Sequence, residues 1–399
     1  MPSPTPPRAG KGGHNPGDVN GDGFADLVFE DRRGGGKTDL VIVYGSADGL
    51  NPATRTVTTG TVFDRRTGTG DLDGDGFADV VVFGEATPNR PYLLWGGPQG
   101  VNPAARPTSV RVPVTLDIFL HSMVLGDFNG DGIADLVMSL PGQSRSSSEL
   151  VVLYGPFTRD GAPRRHTIQP SPAGGEPGRL VAGRMNGGHA TDLLVYLADD
   201  GEQTPSWLLK GGPAGLSSQA RKLNAGNAAA FGDFDGDGRG DVVVADDGSR
   251  NDEPGYETEP PGVDRVMTVY FGAAGRGPQV LGHIGPARAV AAGDYDGDGR
   301  DDLAFGRGAA GVEILRGARE GLRRGGEVIR RSAPAVGPDG HHLSDEQRAA
   351  FPWGAADYDN DGGDELLLAF TSYWMPSSAS LWWATDGRRD ESSFAGGAW

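Results

Sequence analysis

Six short segments of this chain carry a carboxylate or amide at every second position, a pattern suited to holding a hard cation. Their first, third and fifth positions are Asp18, Asn20, Asp22; Asp71, Asp73, Asp75; Asp127, Asn129, Asp131; Asp233, Asp235, Asp237; Asp294, Asp296, Asp298; and Asp357, Asp359, Asp361. Glycine follows at position 6 in all six, and position 9 is acidic again: Asp26, Asp79, Asp135, Asp241, Asp302 and Glu365. Calcium takes about 6–8 oxygen ligands, and a tight loop supplies them from alternate positions once a glycine lets the chain turn back. An EF-hand would close with a bidentate Glu at position 12. Position 12 here is Phe29, Val82, Met138, Val244, Phe305 or Leu368, so these loops are of another kind. The expected ligands are the side chains at 1, 3, 5 and 9 plus the backbone carbonyl at position 7, contributed by Phe24, Phe77, Ile133, Arg239, Arg300 and Gly363. One such loop reads equally well as a solvated acidic turn; six in one register favour about six Ca²⁺ sites.

The elements that must position these loops follow at once. Apolar β-rich runs begin directly after the ninth residue, as in Leu27-Val28-Phe29, Val80-Val81-Val82-Phe83 and Val242-Val243-Val244, and such runs read as strands. First positions fall at 18, 71, 127, 233, 294 and 357, and the interval of 106 residues in the middle is twice the first interval of 53. A loop is therefore expected midway. It is present in decayed form from Arg184 to Asp192, where Arg replaces the first acid and Gly188 the third, leaving Asn186 and Asp192. This seventh loop is expected to bind no calcium, with the Arg184 guanidinium standing in for the ion. A second marker keeps step: an apolar strand ending in glycine, as in Val41–Gly45, Tyr92–Gly96, Val151–Gly155, Trp207–Gly211, Met267–Gly272 and Val312–Gly317, with Leu381–Ala384 in the last place. Two phase-locked markers define one unit of several strands repeated seven times, and a period above about 40 residues is that of propeller blades.

Loop and glycine-terminated strand together resemble the FG-GAP or VCBS repeat of the integrin alpha-chain propeller and its secreted bacterial relatives. The resemblance runs from about Asp18 to the end, although the motif that names the repeat is kept only in Phe231-Gly232 and Ser393-Phe394-Ala395-Gly396. It implies an all-β, seven-bladed β-propeller over 18–399, with each calcium loop joining the first and second strands of a four-stranded blade. Residues 1–17 read as a Pro/Gly-rich tether. The segment before Asp18 makes a poor strand, so either Ser392–Trp399 closes the ring by pairing into the first blade or that blade lacks a strand. Closure is the expectation, because an open edge invites aggregation.

The formal charge of −18 becomes +4 once the 22 loop carboxylates are set aside, so the acidity belongs to the loops rather than to a basic partner. No basic stripe of the nucleic-acid-binding kind is present. Cysteine is absent, which removes any disulfide framework and leaves calcium to staple the fold. No apolar run of about 18 residues spans a membrane, and the first residues show no signal peptide. An extracellular address is expected, because weak extracellular sites need calcium near ~10⁻⁴–10⁻³ M. A monomer is expected.

Other motifs carry less. Gly34-Gly35-Gly36-Lys37-Thr38 lacks the first glycine of a phosphate loop, and Arg239-Gly240-Asp241 spends its Asp on the metal loop. His341-His342 lies in an insertion ahead of a capping box at Ser344 and Gln347 and reads as a surface loop. Trp95, Trp207, Trp353, Trp382 and Trp383 read as packing residues, with Trp374 the exception on a loop. No nucleophile can be nominated, so no catalytic residue is expected. Insertions at 246–263 and 332–353, with Tyr373-Trp374, should lie on the face opposite the calcium loops, where variable loops on a rigid scaffold carry recognition. The expected function is a non-catalytic, calcium-stabilised extracellular binding or adhesion module for a protein or glycan. Alternatives are a polysaccharide-lyase-like enzyme and a lectin.

Overall fold

The computed structural model describes residues 17–397 apart from 34–36, 59–62, 85–89, 114–121, 141–147, 186, 198–201, 251–265, 285–286, 288, 373–378 and 387–389. Seven antiparallel sheets follow one another along the chain, at 27–58, 63–109, 123–170, 177–225, 228–282, 290–329 and 351–397. Within each sheet the strands pair in chain order, giving among the described residues four strands in six blades and three in the first. The protein is an all-β, seven-bladed β-propeller.

Strand periodicity explains how the ring is packed. Neighbouring side chains on a strand point to opposite faces, and both faces of a blade are covered by other blades. In Asp79–Gly84, Val80 and Val82 pack with Leu40 and Ile42 of blade one, whereas Val81 and Phe83 pack with Leu136 and Met138 of blade three. The run must therefore be apolar throughout, and Val80, Val81 and Val82 are fully buried. Seven such wedges, one per junction, make up the core. Outer strands such as Arg165–Pro170 are largely exposed and correspondingly polar.

The glycine that follows the third strand in blades one to four and six answers to a close approach. A Cβ on Gly45, Gly96 or Gly211 would stand 2.2, 2.3 or 2.1 Å from the carbonyl oxygen of Ala25, Ala78 or Thr191, the eighth residue of the same blade's loop. No side chain fits there.

Ring closure differs from the expectation. Asp390–Gly397 pairs with Ala379–Thr385 as the outer strand of blade seven and not with blade one. The short hairpin brings these strands together locally, and Phe394 then lies parallel to Trp382 at 6.4 Å. Blade one has no inner strand among the described residues, and residues 1–16 lie outside them. The ring is closed instead by the seventh wedge, in which Phe29 and Val43 meet Leu367 and Trp382, with the Phe29 and Trp382 rings 4.5 Å apart.

Candidate metal centres

From blade two onward each acidic loop connects the first strand of its blade to the second, as Asp71–Phe77 connects Phe63–Gly70 to Asp79–Gly84, and the Asp18 loop leads into Leu27–Arg33. The turn needs left-handed backbone at positions 4 and 6. Gly74 and Gly76 have φ of 78° and 89°, and in blade seven Asn360 takes the fourth position at 62°. Side-chain oxygens then tie the turn. Asp71 Oδ1 accepts the Gly74 and Asp75 N–H groups at 2.7 and 3.2 Å, and Oδ2 accepts that of Gly76 at 2.9 Å. Asn129 Oδ1 accepts Asp131 N–H at 2.8 Å, and Asp131 Oδ1 accepts Ile133 N–H at 3.1 Å.

Carboxylate oxygens converge within 4.8 Å in four loops: Asp357, Asp359, Asp361 and Glu365; Asp71, Asp73 and Asp79; Asp233, Asp235 and Asp241; and Asp294, Asp296 and Asp298. All-oxygen donors on a short loop suit a hard cation. The loops beginning at Asp18 and Asp127 carry Asn at position 3 and therefore one charge fewer.

The ninth residue does more than the sequence suggested. Asp79 Oδ2 accepts Leu72 N–H at 3.0 Å while Oδ1 accepts Gly96 N–H at 2.9 Å. Asp26 bonds Val19 and Gly45, Asp135 bonds Phe128 and Gly155, and Asp241 bonds Phe234 and Gly272 in the same way. In blades one, two, three and five this carboxylate joins loop, second strand and third strand; in blade six Asp302 accepts Gly317 N–H and meets Arg316 with its other oxygen, and in blade seven Glu365 accepts Tyr358 N–H. Burial pushes the ninth residue's pKa up to about 7 for Asp26, Asp135 and Asp241, and to about 8 for Asp79 and Glu365.

Successive loops are also linked. The position-1 carbonyls of Asp18, Asp71 and Asp294 accept N–H groups of Ala78, Ala134 and Asp364 in the next blade, each at 2.8 Å. At the seam between blades seven and one, Tyr358 O accepts Ser46 N–H at 3.2 Å, as Val19 O accepts Gly97 N–H at 3.1 Å between blades one and two. The eighth residue adds a side-chain contact that sequence reading missed. Asp301 Oδ2 accepts Asp233 N–H at 2.6 Å and Asp364 Oδ2 accepts Asp294 N–H at 2.9 Å.

In the decayed loop, Asp192 keeps both bonds, to Met185 and Gly211 N–H. Arg184 is exposed, and the positive charge that bears on Asp192 is that of Lys210. The expected stand-in role of Arg184 is corrected accordingly: its side chain is exposed, and the neighbouring strand supplies the charge at Lys210. Asn186 lies outside the described residues.

Three arginines absent from the sequence reading reach other loops. Arg159 contacts Asp73 Oδ2 at 2.7 Å and Asp75 Oδ2 at 2.6 Å, with its guanidinium 4.5 Å from the Trp95 ring centre. Arg276 pairs with Asp235. Arg316 pairs with Asp302 and lies 3.5 Å from Asp296.

Asp241 is buried with both oxygens bonded, so Arg239-Gly240-Asp241 displays no free carboxylate. His341 and His342 are exposed, with His341 Nδ1 3.2 Å from Asp339. Trp382 is fully buried whereas Trp353 is 44% exposed. On the opposite face, the insertion joining the second and third strands of blade five begins with a buried anchor. Asp246 accepts two bonds from Arg250, at 3.0 and 2.9 Å, and one from Gln203 at 2.6 Å. Residues 251–263 of that insertion, and Tyr373 and Trp374, lie outside the described residues. The insertion before blade seven forms a short helix, Asp345–Arg348, with the capping box of Ser344 and Gln347 in place.

The fold and its loops define a seven-bladed propeller built from one repeated acidic-loop unit. A family model described as FG-GAP-like repeat matches residues 71–138 and 233–305, and the chain is an FG-GAP repeat propeller protein. Its backbone is similar to that of chains in solved structures at low identity. A chain of a nidogen/laminin complex is 12% identical, with a TM-score of 0.39, over 75% of this chain and 92% of that one. A chain from the structure of BBS1N in complex with ARL6DN is 11% identical, TM-score 0.42, over 96% and 94%. The Dos1 propeller is 9% identical, TM-score 0.37, over 86% and 92%. No curated protein sequence matches the chain.

Proposed function

We propose that the protein is a non-catalytic binding module, stabilised by Ca²⁺ in its loops and working outside the cell, that recognises a protein or glycan through the face opposite those loops. The site residues are those named from sequence, at positions 1, 3, 5, 7 and 9 of the six loops, with the propeller occupying 18–399. Converging carboxylates with like-charge neighbours support the metal reading, because they gain most from a divalent ion. Among the described residues no helix is long and apolar enough to cross a membrane. The observation that carries the recognition reading is the anchor at Asp246, Arg250 and Gln203. It holds a loop of unusual length on a rigid base, as binding loops require. The helix Asp345–Arg348 packs against the turn at Gly308–Ala310 between the second and third strands of blade six, with Glu346 accepting Ala309 N–H at 2.8 Å.

The test is replacement of residues 251–260 by a short Gly/Ser linker, keeping Asp246 and Arg250, followed by screening on glycan and extracellular-protein arrays in calcium and in chelator. Binding lost in the variant supports the assignment. Binding retained in full at wild-type affinity removes it.

A further inference from the structure

We propose that the six loops are unequal calcium sites, with resident arginines weakening those of blades two, five and six and the blade-seven loop binding most tightly at the seam of the ring. The proposal rests on the calcium reading above and assigns affinities within it.

The three arginines share a target. Arg159, Arg276 and Arg316 approach the Oδ2 atoms of Asp73, Asp235 and Asp296, the third residue in each loop. That is the oxygen left over once Oδ1 has accepted the N–H of residue five, at 3.3 Å in Asp73 and 3.1 Å in Asp235. Where position 3 is Asn, at Asn20 and Asn129, the extra negative charge is missing and no arginine accompanies the loop among the described residues. Four acids with one arginine, as in blades two and five, and three acids with none carry the same net charge; the blade-six loop holds a second guanidinium, Arg300, at 2.8 Å from Asp298 Oδ2. Asp359 breaks the pattern. It is an Asp at position 3 whose cluster, with Asp357, Asp361 and Glu365, converges without a guanidinium or ammonium group among the described residues.

The residue before the terminal glycine of the third strand tells the same story. It is Tyr44, Trp95, Tyr154, Phe271 and Asp386 in five blades, but Lys210 beside the decayed loop and Arg316 beside the complete loop of blade six. Blade six therefore has a full ligand sequence and, like blade four, a built-in cation. Calcium entering loops two, five and six must first displace a charge-assisted hydrogen bond; entering loop seven it displaces none.

Location gives the tight site a consequence. Glu365 accepts Tyr358 N–H at 2.7 Å, and Tyr358 O accepts Ser46 N–H across the junction with blade one. This is the junction where blade one shows no inner strand among its described residues. An ion on Glu365 and Asp357 fixes the segment that carries Tyr358, so the first equivalent of calcium should tighten the seam.

The experiment is calcium titration of the metal-stripped full chain by calorimetry, with hydrogen exchange at Ser46 followed in parallel. Expected is one tight step that coincides with protection of Ser46, then weaker steps. Asp359→Asn removes the tight step, while Asp73→Asn leaves it. Arg159→Gln, Arg276→Gln and Arg316→Gln each strengthen one weak site by roughly five- to tenfold, with circular dichroism confirming the fold. Six indistinguishable steps, or arginine variants that bind as the wild type does, overturn the proposal while leaving the calcium reading intact. No binding at millimolar calcium overturns that reading itself.

Discussion

Asp192 accepts the Gly211 N–H at 2.9 Å, the same bond that Asp79 makes to Gly96, although the Asp192 loop has lost two of its acids. The ninth carboxylate thus has a structural task that does not depend on a full set of loop acids. Asp192→Asn keeps one acceptor and turns an amide against the other N–H. Leaving a buried N–H unpaired costs about 1–3 kcal/mol, so urea melts should show a loss in that range. Arg184→Ala, at an exposed site, should stay within about 0.5 kcal/mol of wild type. Equal melts for the two variants would contradict the assignment.

The same carboxylates set a pH dependence. Burial raises Asp79 and Glu365 to about 8, and Asp26, Asp135 and Asp241 to about 7, whereas unfolded carboxyls titrate near ~4. Between those values the folded state binds more protons than the unfolded state, so stability falls as pH rises. The metal-stripped protein should be more stable near pH 5 than near pH 8. Calcium replaces the protons and should flatten or reverse that slope. Denaturant midpoints at both pH values, with and without chelator, check this; metal-stripped stability that climbs with pH would be the wrong sign.

Blade number and loop position were legible because both depend on local runs: an acidic turn, the apolar strand after it, and a glycine where no Cβ fits. Pairing at the ends was not. The residues of Asp390–Gly397 suit a strand, but nothing in them states whether blade one or blade seven will receive it. Long-range partners were equally hidden. Asp135 finds Gly155 20 residues on, and Arg159 finds Asp75 84 residues back. Arg184 misled because chemistry was assigned by sequence slot, while the charge near Asp192 comes from the neighbouring strand at Lys210.

The seam between blades seven and one should be sensitive to packing, because side chains hold it where the described part of blade one has no inner strand. Trp382 is fully buried among Phe29, Trp353 and Phe394. Trp382→Ala removes a large core side chain at a cost of about 3–5 kcal/mol. Limited proteolysis should then cut first in blades one and seven. Cleavage spread evenly over all blades would show that the seam is no weaker than the other junctions.

Removal of calcium tests the scaffold as a whole. In each loop, carboxylates sit close enough to repel one another, and burial penalises their charge, as at Asp73, whose pKa is raised to about 6. An ion relieves both penalties in the folded state only. A ligand at a hundredfold excess over Kd adds about 2.7 kcal/mol for each site it fills, so several sites together should raise Tm by about ten degrees or more. Differential scanning calorimetry in millimolar calcium and in excess chelator measures the difference. Magnesium at the same concentration should restore little, because it demands a smaller octahedral shell and dehydrates reluctantly. The melt should fall as a single unit, since every blade is wedged between two others. An unchanged Tm with metal loss confirmed would mean that hydrogen bonds such as those of Asp79 and Asp192 hold the propeller without the ion.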